Sequence, residues 1–273
     1  MTATAVPPTA HSRTLVAAAV VPIVALGVIV TAVLVVVLGL WGLLVGLVLT
    51  AAAVGLRAWQ LTHGVRRRVL DGLGPRPADA TSEARLFNLA DGLAATSGVG
   101  VPDLFVLDDP AANLMLVGEA AAEPAVVVTS GLLEVTDVVQ LEGAVAWAFA
   151  VLRQGELPAA SVAVGAVARP RISAAAGGVG GLLVRPFGAL LASGHGHLAD
   201  PDRDLELDRA AVALTRYPPG LEAALASMQE RGTALARPDA ATAHLWMADP
   251  GASVPGLGAR PSLDLRIEAL RLL

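Results

Sequence analysis

The chain has no cysteine and no lysine among its 273 residues. The first absence excludes disulfides and thiolate metal sites. The second leaves arginine to supply all 19 basic residues, a composition that, with the abundant alanine and glycine, is associated with GC-rich bacterial genes. Charge of either sign is scarce: charged residues make up 16% and hydrophobic residues 55%. The mean hydropathy of +0.64 is too high for an ordinary soluble domain. The net charge of −5, with basic residues mostly scattered, excludes nucleic acid as a partner.

One absence is local. No charged residue stands between Arg13 and Arg57, a run of Val, Leu, Ala and Gly. A single membrane span needs about 20 residues, and this run is about twice that. Gly39-Leu40-Trp41-Gly42 lies near its middle. The pattern predicts two transmembrane helices, over 14–36 and 41–58, joined by a tight turn. A single long tilted helix is the alternative. A signal peptide is excluded, since its apolar core would be only about 7–15 residues. Arg13 precedes the first span, Arg57 and Arg66-Arg67-Arg68 follow the second, and the turn has no charge. By the distribution of flanking cations, both ends and the following domain face the cytoplasm. The expected location is the cytoplasmic membrane, multi-pass, with the bilayer as a partner. The arginine cluster reads as a solvated juxtamembrane helix that can touch anionic headgroups.

The chain divides into a disordered N-terminus (1–13), two transmembrane helices (14–58), a juxtamembrane linker (59–80) and a domain (81–273). Within the linker a helix runs to Leu73 and Gly74-Pro75-Arg76-Pro77 ends it. In the domain, Leu86, Leu89, Ala90 and Leu93 recur at helical spacing, with Gly98 as the C-cap. Short apolar runs predict strands over 104–107, 114–117 and 125–129. Helices follow over 131–137, 138–154, 202–216, 219–231 and from 262, with Ser262 as an N-cap. The fold class is α+β: a transmembrane helical hairpin, then a mostly helical domain with a small β-sheet. Residues 158–194 read as a flexible or interfacial segment or as an additional membrane hairpin.

Five blocks stand out in order along the domain. Asn113-Leu114-Met115-Leu116-Val117-Gly118 is similar to a strand like NAFATG. Val126 to Glu134 is similar to a strand and turn like VAVTTGLLE. Leu141 to Glu156, LEGAVAWAFAVLRQGE, is similar to a helix like LEAVLAHELAHIRNGD. Asp202 to Leu221 is similar to a helix like SRxREFxADxxAVxLTRxPxGL. Arg260 to Leu270 is similar to HPPLxxRIxxL. In this order the five blocks resemble the HtpX-like membrane zinc metallopeptidases, whose active-site helix is the third.

The resemblance implies a metallopeptidase-type domain and places the motif HExxH on the third block. Residues four apart share a helix face, so two histidines there reach one zinc ion, and the glutamate between them serves as base. Here Trp147 and Val151 stand at the histidine positions and Ala148 at the glutamate position. An indole only donates, and valine and alanine carry no ligand or base. Asp204 stands at the third-ligand position, with Glu206 the other candidate half a turn away. The degenerate motif implies no catalytic residues, no metal and no cofactor. Two readings of the former cleft stay open: packed core, or a metal-free pocket for a ligand or peptide.

Two further features are weighed against that loss. His195 and His197, in Gly194-His195-Gly196-His197, form an alternative metal site for zinc, with acidic residues nearby. The strand Asn113, Leu114, Met115, Leu116 and Val117 is a candidate peptide-binding edge, because strand addition needs only backbone hydrogen bonds. The expectation is a membrane-anchored pseudoprotease acting as a binding or regulatory protein, engaging a membrane protein or an active paralogous protease. The alternatives are an active zinc metalloendopeptidase in membrane protein quality control with non-standard ligands, and a structural subunit of a membrane complex.

Overall fold

Glycine at position 39, with φ +59°, breaks the apolar N-terminal run into two helices. In the computed structural model these are α1 (Ala10–Leu38) and α2 (Leu40–Thr62). The structure describes residues 10–119, 122–155, 157, 160, 161, 164, 201–252 and 260–273. Residues 10–13, read from sequence as disordered, belong to α1. Both helices are longer than the predicted spans.

The two helices pack on each other through small residues. Gly27 lies against Thr50, Gly46 against Thr31, and Gly42 against the backbone at Leu34, each too closely to admit a Cβ. The pairing is reciprocal. Thr31 donates to the Gly27 carbonyl at 2.7 Å and Thr50 donates to the Gly46 carbonyl at 2.8 Å, so each hydroxyl is satisfied on its own helix. Among the described residues, Leu40–Gln60 is long and apolar enough to cross a membrane, and α1 contains a shorter apolar stretch, Ile23–Leu38.

Helix α3 (Val65–Leu73) follows, ended by Gly74 in the left-handed conformation. It is not a free linker. Val65 and Val69 are buried, and the Val65 amide donates to Glu119 at 3.0 Å. Arg66 pairs with Asp103 and lies over the Phe105 ring. Strand β1 (Arg76–Pro77), absent from the sequence expectation, pairs antiparallel with β2 (Asp103–Leu107). Residues 65–80 therefore contribute to the folded domain. The reason is packing at long range, which local composition does not carry.

Helix α4 (Ala84–Ser97) precedes β2 and ends at Gly98, φ +72°, as its sequence position predicts. Strands β3 (Leu114–Glu119) and β4 (Ala122–Thr129) complete a four-stranded mixed sheet in the order β1-β2-β4-β3. β2 and β4 are parallel, and β3 runs antiparallel to β4 at the edge. Helices α5 (Ser130–Val135) and α6 (Val138–Gln154) follow. α6 begins with a capping box, Asp137 accepting from the Gln140 amide and Gln140 reaching back, and ends at Gly155. Helices α7 (Pro201–Thr215), α8 (Pro218–Arg231) and α9 (Leu263–Arg271) close the fold, the last capped by Ser262. The chain is mostly helical with a small mixed sheet. Residues 158–194 fall almost entirely outside the described residues.

The main core forms around α6. Its side chains pack with Leu114 and Leu116 of β3, Val126 and Val128 of β4, Leu207 of α7 and Leu221 of α8. Gly143 permits the close approach of α8: a Cβ there would meet the Leu221 amide nitrogen at 2.6 Å. A smaller core on the other side of the sheet gathers Val65, Met115, Val127 and Trp246.

Candidate functional site

Helix α6 presents no open face at the motif positions. Every residue from Gly143 to Val151 is buried, including Trp147, Ala148 and Val151. An apolar helix enclosed on all sides needs no polar stripe, which is why AVAWAFAV lacks one. The Trp147 indole N–H is buried without a hydrogen-bond partner. Such a donor costs about 1–3 kcal/mol. Trp147 is thus held by its volume and not by its polar atom.

Helix α7 packs against α6 and carries Asp204, which is 4% exposed. Its carboxylate is bound bidentately by Arg260: Nε donates to Oδ2 at 2.9 Å and Nη2 to Oδ1 at 3.0 Å. Arg260 also donates from Nη1 to the Trp246 carbonyl at 2.7 Å and from Nη2 to the Met247 carbonyl at 2.9 Å. One turn on, Asp208 is bound the same way by Arg266, at 2.8 and 2.6 Å. Arg266, itself buried, donates from Nη1 to the Met247 carbonyl at 2.7 Å. Two carboxylates, two guanidiniums and two backbone carbonyls thus form one network joining α7, residues 246–247 and α9. Glu206 points away and is exposed.

The charges follow from this arrangement. Burial alone would push the Asp204 carboxyl up, but Arg260, helped by Arg266 and Arg203, outweighs it and holds the group below its ordinary value. Burial is the dominant influence on Asp208 and raises it, opposed by Arg266. Burial would lower Arg266, yet Asp208 and Asp204 overcome this and hold the guanidinium raised.

Zinc is tested by the donors present. Trp147 offers only an N–H, Val151 and Ala148 offer no donor atom, and both oxygens of Asp204 already accept from Arg260. These residues do not fit a zinc ion, which takes nitrogen, thiolate or carboxylate ligands in a tetrahedral set. No group of three or more His, Cys, Asp or Glu able to hold a metal occurs among the described residues. His195 and His197 lie outside the described residues. His244 contacts the Ala160 carbonyl at 2.7 Å, and exposed His63 stacks on Trp59.

The candidate peptide-binding edge, Asn113 to Val117, lies on and just before β3. β3 is an edge strand, but its outward backbone groups are taken at both ends. The Leu114 carbonyl accepts from the Met247 amide at 2.7 Å, Met115 pairs antiparallel with Trp246, and the Gly118 amide donates to Ser161 Oγ at 3.1 Å. Leu114, Met115, Leu116 and Val117 are all buried. Asn113 is also spent internally: its side-chain amide donates to the Thr233 and Ala248 carbonyls, and its Oδ1 accepts from the Leu114 and Ala248 amides. The chain's own segment after α8 lies where an added strand would have to bind.

Asp208, Arg260 and Arg266 lie within the fourth and fifth resembling blocks, which assign them no role. Their signal was available. Asp204 and Asp208 lie four apart on one helix face, and two arginines stand six apart, Arg260 just before α9 and Arg266 within it.

No family model matches the chain, and no solved structure matches it. Several curated proteins do. A "Protease HtpX homolog" of Tropheryma whipplei (strain Twist) is 27% identical over 201 residues, 65% of this chain and 67% of its own. One of Dictyoglomus thermophilum is 27% identical over 208 residues, 69% of each chain. One of Limosilactobacillus fermentum is 26% identical over 260 residues, 84% of this chain and 85% of its own. These alignments span most of both partners, and the quoted blocks fold here into one sheet and the helices packed on it. Over these spans the chain is similar to curated HtpX homologues at 26–27% identity, which supports an HtpX-like family.

Proposed function

We propose that this family member is a membrane-anchored pseudoprotease that binds or regulates other proteins. The observation that carries the reading is the Arg260–Asp204 pair. The carboxylate at the third-ligand position is neutralised by the chain's own guanidinium. Trp147, Ala148 and Val151 at the motif positions add neither ligand nor base. The former cleft is read as packed core, with no cofactor.

Helices α1 and α2 are read as a transmembrane hairpin in the cytoplasmic membrane, with the domain on the cytoplasmic side. Their exposed apolar surface and the arginines beyond α2 support this reading. Cysteines introduced at Ala5 and Pro75 should both be shielded from an impermeant thiol reagent in intact cells. Labelling at Pro75 from outside would reverse the orientation. The partners proposed are the lipid bilayer and a membrane protein or an active paralogous protease. Cross-linking followed by co-purification from membranes separates this role from that of a structural subunit, which would be found in fixed stoichiometry with one complex.

A second reading is favoured by the relatives, which are named proteases. It is an active zinc metalloendopeptidase with non-standard ligands, His195 and His197 being the candidates. Cleavage of casein by the detergent-purified chain, abolished by His195→Ala with His197→Ala, would establish it. A reconstruction tests the first reading. The triple variant Trp147→His, Ala148→Glu, Val151→His should stay zinc-free while Arg260 holds Asp204. Adding Arg260→Ala should permit weak binding.

A further inference from the structure

We propose that Arg260 is the resident cation of the α7 site, and that its removal leaves a preformed site for a small planar cation of the guanidinium class. Four acceptors converge on this one side chain: both carboxylate oxygens of Asp204 and the carbonyls of Trp246 and Met247. They meet Nε, Nη1 and Nη2 at 2.7–3.0 Å, the fork geometry that a guanidinium presents and a spherical ion does not. The neighbouring Asp208–Arg266 pair closes the charge balance, two carboxylates against two guanidiniums. A divalent ion added beside Arg260 would leave the site with excess positive charge, so the arginine excludes a metal as well as replacing one.

The role is structural as well as electrostatic. Met247 accepts from both arginines through its carbonyl and donates through its amide to Leu114. Arg260 therefore fastens the segment that covers the β3 edge to the helix bearing Asp204. Without it, Asp204 keeps only the more distant charges of Arg266 and Arg203, and the Trp246 carbonyl loses its side-chain donor. The acceptors remain in place on α7 and on a segment still held by Arg266 and Leu114. A free guanidinium ion can satisfy them, whereas zinc, which prefers nitrogen or thiolate donors in a tetrahedral set, fits them poorly.

The test is thermal unfolding of the full chain in detergent. The unmodified protein should keep its Tm in EDTA, in zinc and in millimolar methylguanidinium. Arg260→Ala should lower the Tm by about 5–10 °C. Millimolar methylguanidinium should restore at least half of that loss, and zinc or magnesium at equal concentration should restore less. An unchanged Tm in Arg260→Ala, no recovery with methylguanidinium, or a stronger recovery with zinc would overturn the proposal. If Arg260→Ala does not fold, the double change Asp204→Leu with Arg260→Met removes both charges together and should return folded protein; failure to do so would also overturn it. Zinc held by the unmodified protein at His195 and His197 would defeat the pseudoprotease reading and leave this experiment intact.

Discussion

Helices α2 and α6 are both apolar nearly all round, yet they meet opposite surroundings. Phe149 of α6 is fully buried, while Val48 of α2 is 67% exposed. Only 11% of the apolar window in α2 is buried inside the protein. The difference lies in what surrounds each helix. α6 is enclosed by α4, α7, α8 and the sheet, so its apolar residues fill a core. Among the described residues α2 packs mainly on α1, touches α3 at its end, and turns the rest of its surface outward. A lack of polar residues thus accompanies two different surroundings in one chain: an exposed apolar surface on α2 and a packed core around α6.

The contrast is tested most severely by truncation. Trp147→Ala should cost about 3–5 kcal/mol in chemical unfolding of the detergent-solubilised chain. Leu47→Ala on the outer face of α2 should stay within about 0.5 kcal/mol, as for an exposed position. A Trp147→Ala cost below about 1 kcal/mol would mean an open cleft and would favour the pocket reading over packed core. Polar burial near α6 should behave differently from apolar burial. Arg266→Met leaves Asp208 buried and unpaired and should cost about 3–5 kcal/mol, whereas adding Asp208→Leu should recover most of it. Equal losses in the single and double variants would show that packing, not charge, holds α9.

The α1–α2 pair has its own close contact to break. Gly46→Val should force α1 and α2 apart at Thr31, at a cost of about 1–3 kcal/mol as overpacking. The same change at Gly55, where the structure shows nothing near the site of a Cβ, should have little effect. Disulfide cross-linking between cysteines placed on α1 and α2 reads this directly, falling for Gly46→Val only.

Most of this architecture was legible in local signals. The bounds of α6 follow from Asp137 and Gln140 at one end and Gly155 at the other, and a helix end at Gly98 from a glycine after a periodic run. The sheet beyond its apolar strands was not legible. Arg76–Pro77 is two residues long and has no periodicity to read. The occupied edge of β3 was hidden for the same reason: Met115 and Trp246 are 131 positions apart, and no local pattern announces their pairing. The Arg260–Asp204 pair, 56 residues apart, is also non-local. The motif positions could be read as lacking ligands. That an arginine would bind the Asp204 carboxylate could be read only after the fold had brought both ends together.

A smaller effect follows from pH. The Asp204 carboxyl is held low in the fold, so its ionised form contributes stability that is present above the ordinary aspartate value. That contribution is lost as pH falls from about 4 through the lowered folded value. Arg260→Met should remove this acid-side loss by abolishing its cause, flattening the Tm profile below about pH 4 relative to the unmodified chain. An identical profile in both proteins would assign the acid transition to other carboxylates.

The zinc content of the unmodified chain, purified in detergent without chelator and measured by elemental analysis, tests the central claim most directly. With Arg260 on Asp204 and Trp147 and Val151 at the histidine positions, the account predicts zinc far below one ion per chain and no change in content on Asp204→Asn. One zinc per chain, lost on Asp204→Asn or on His195→Ala with His197→Ala, would contradict it.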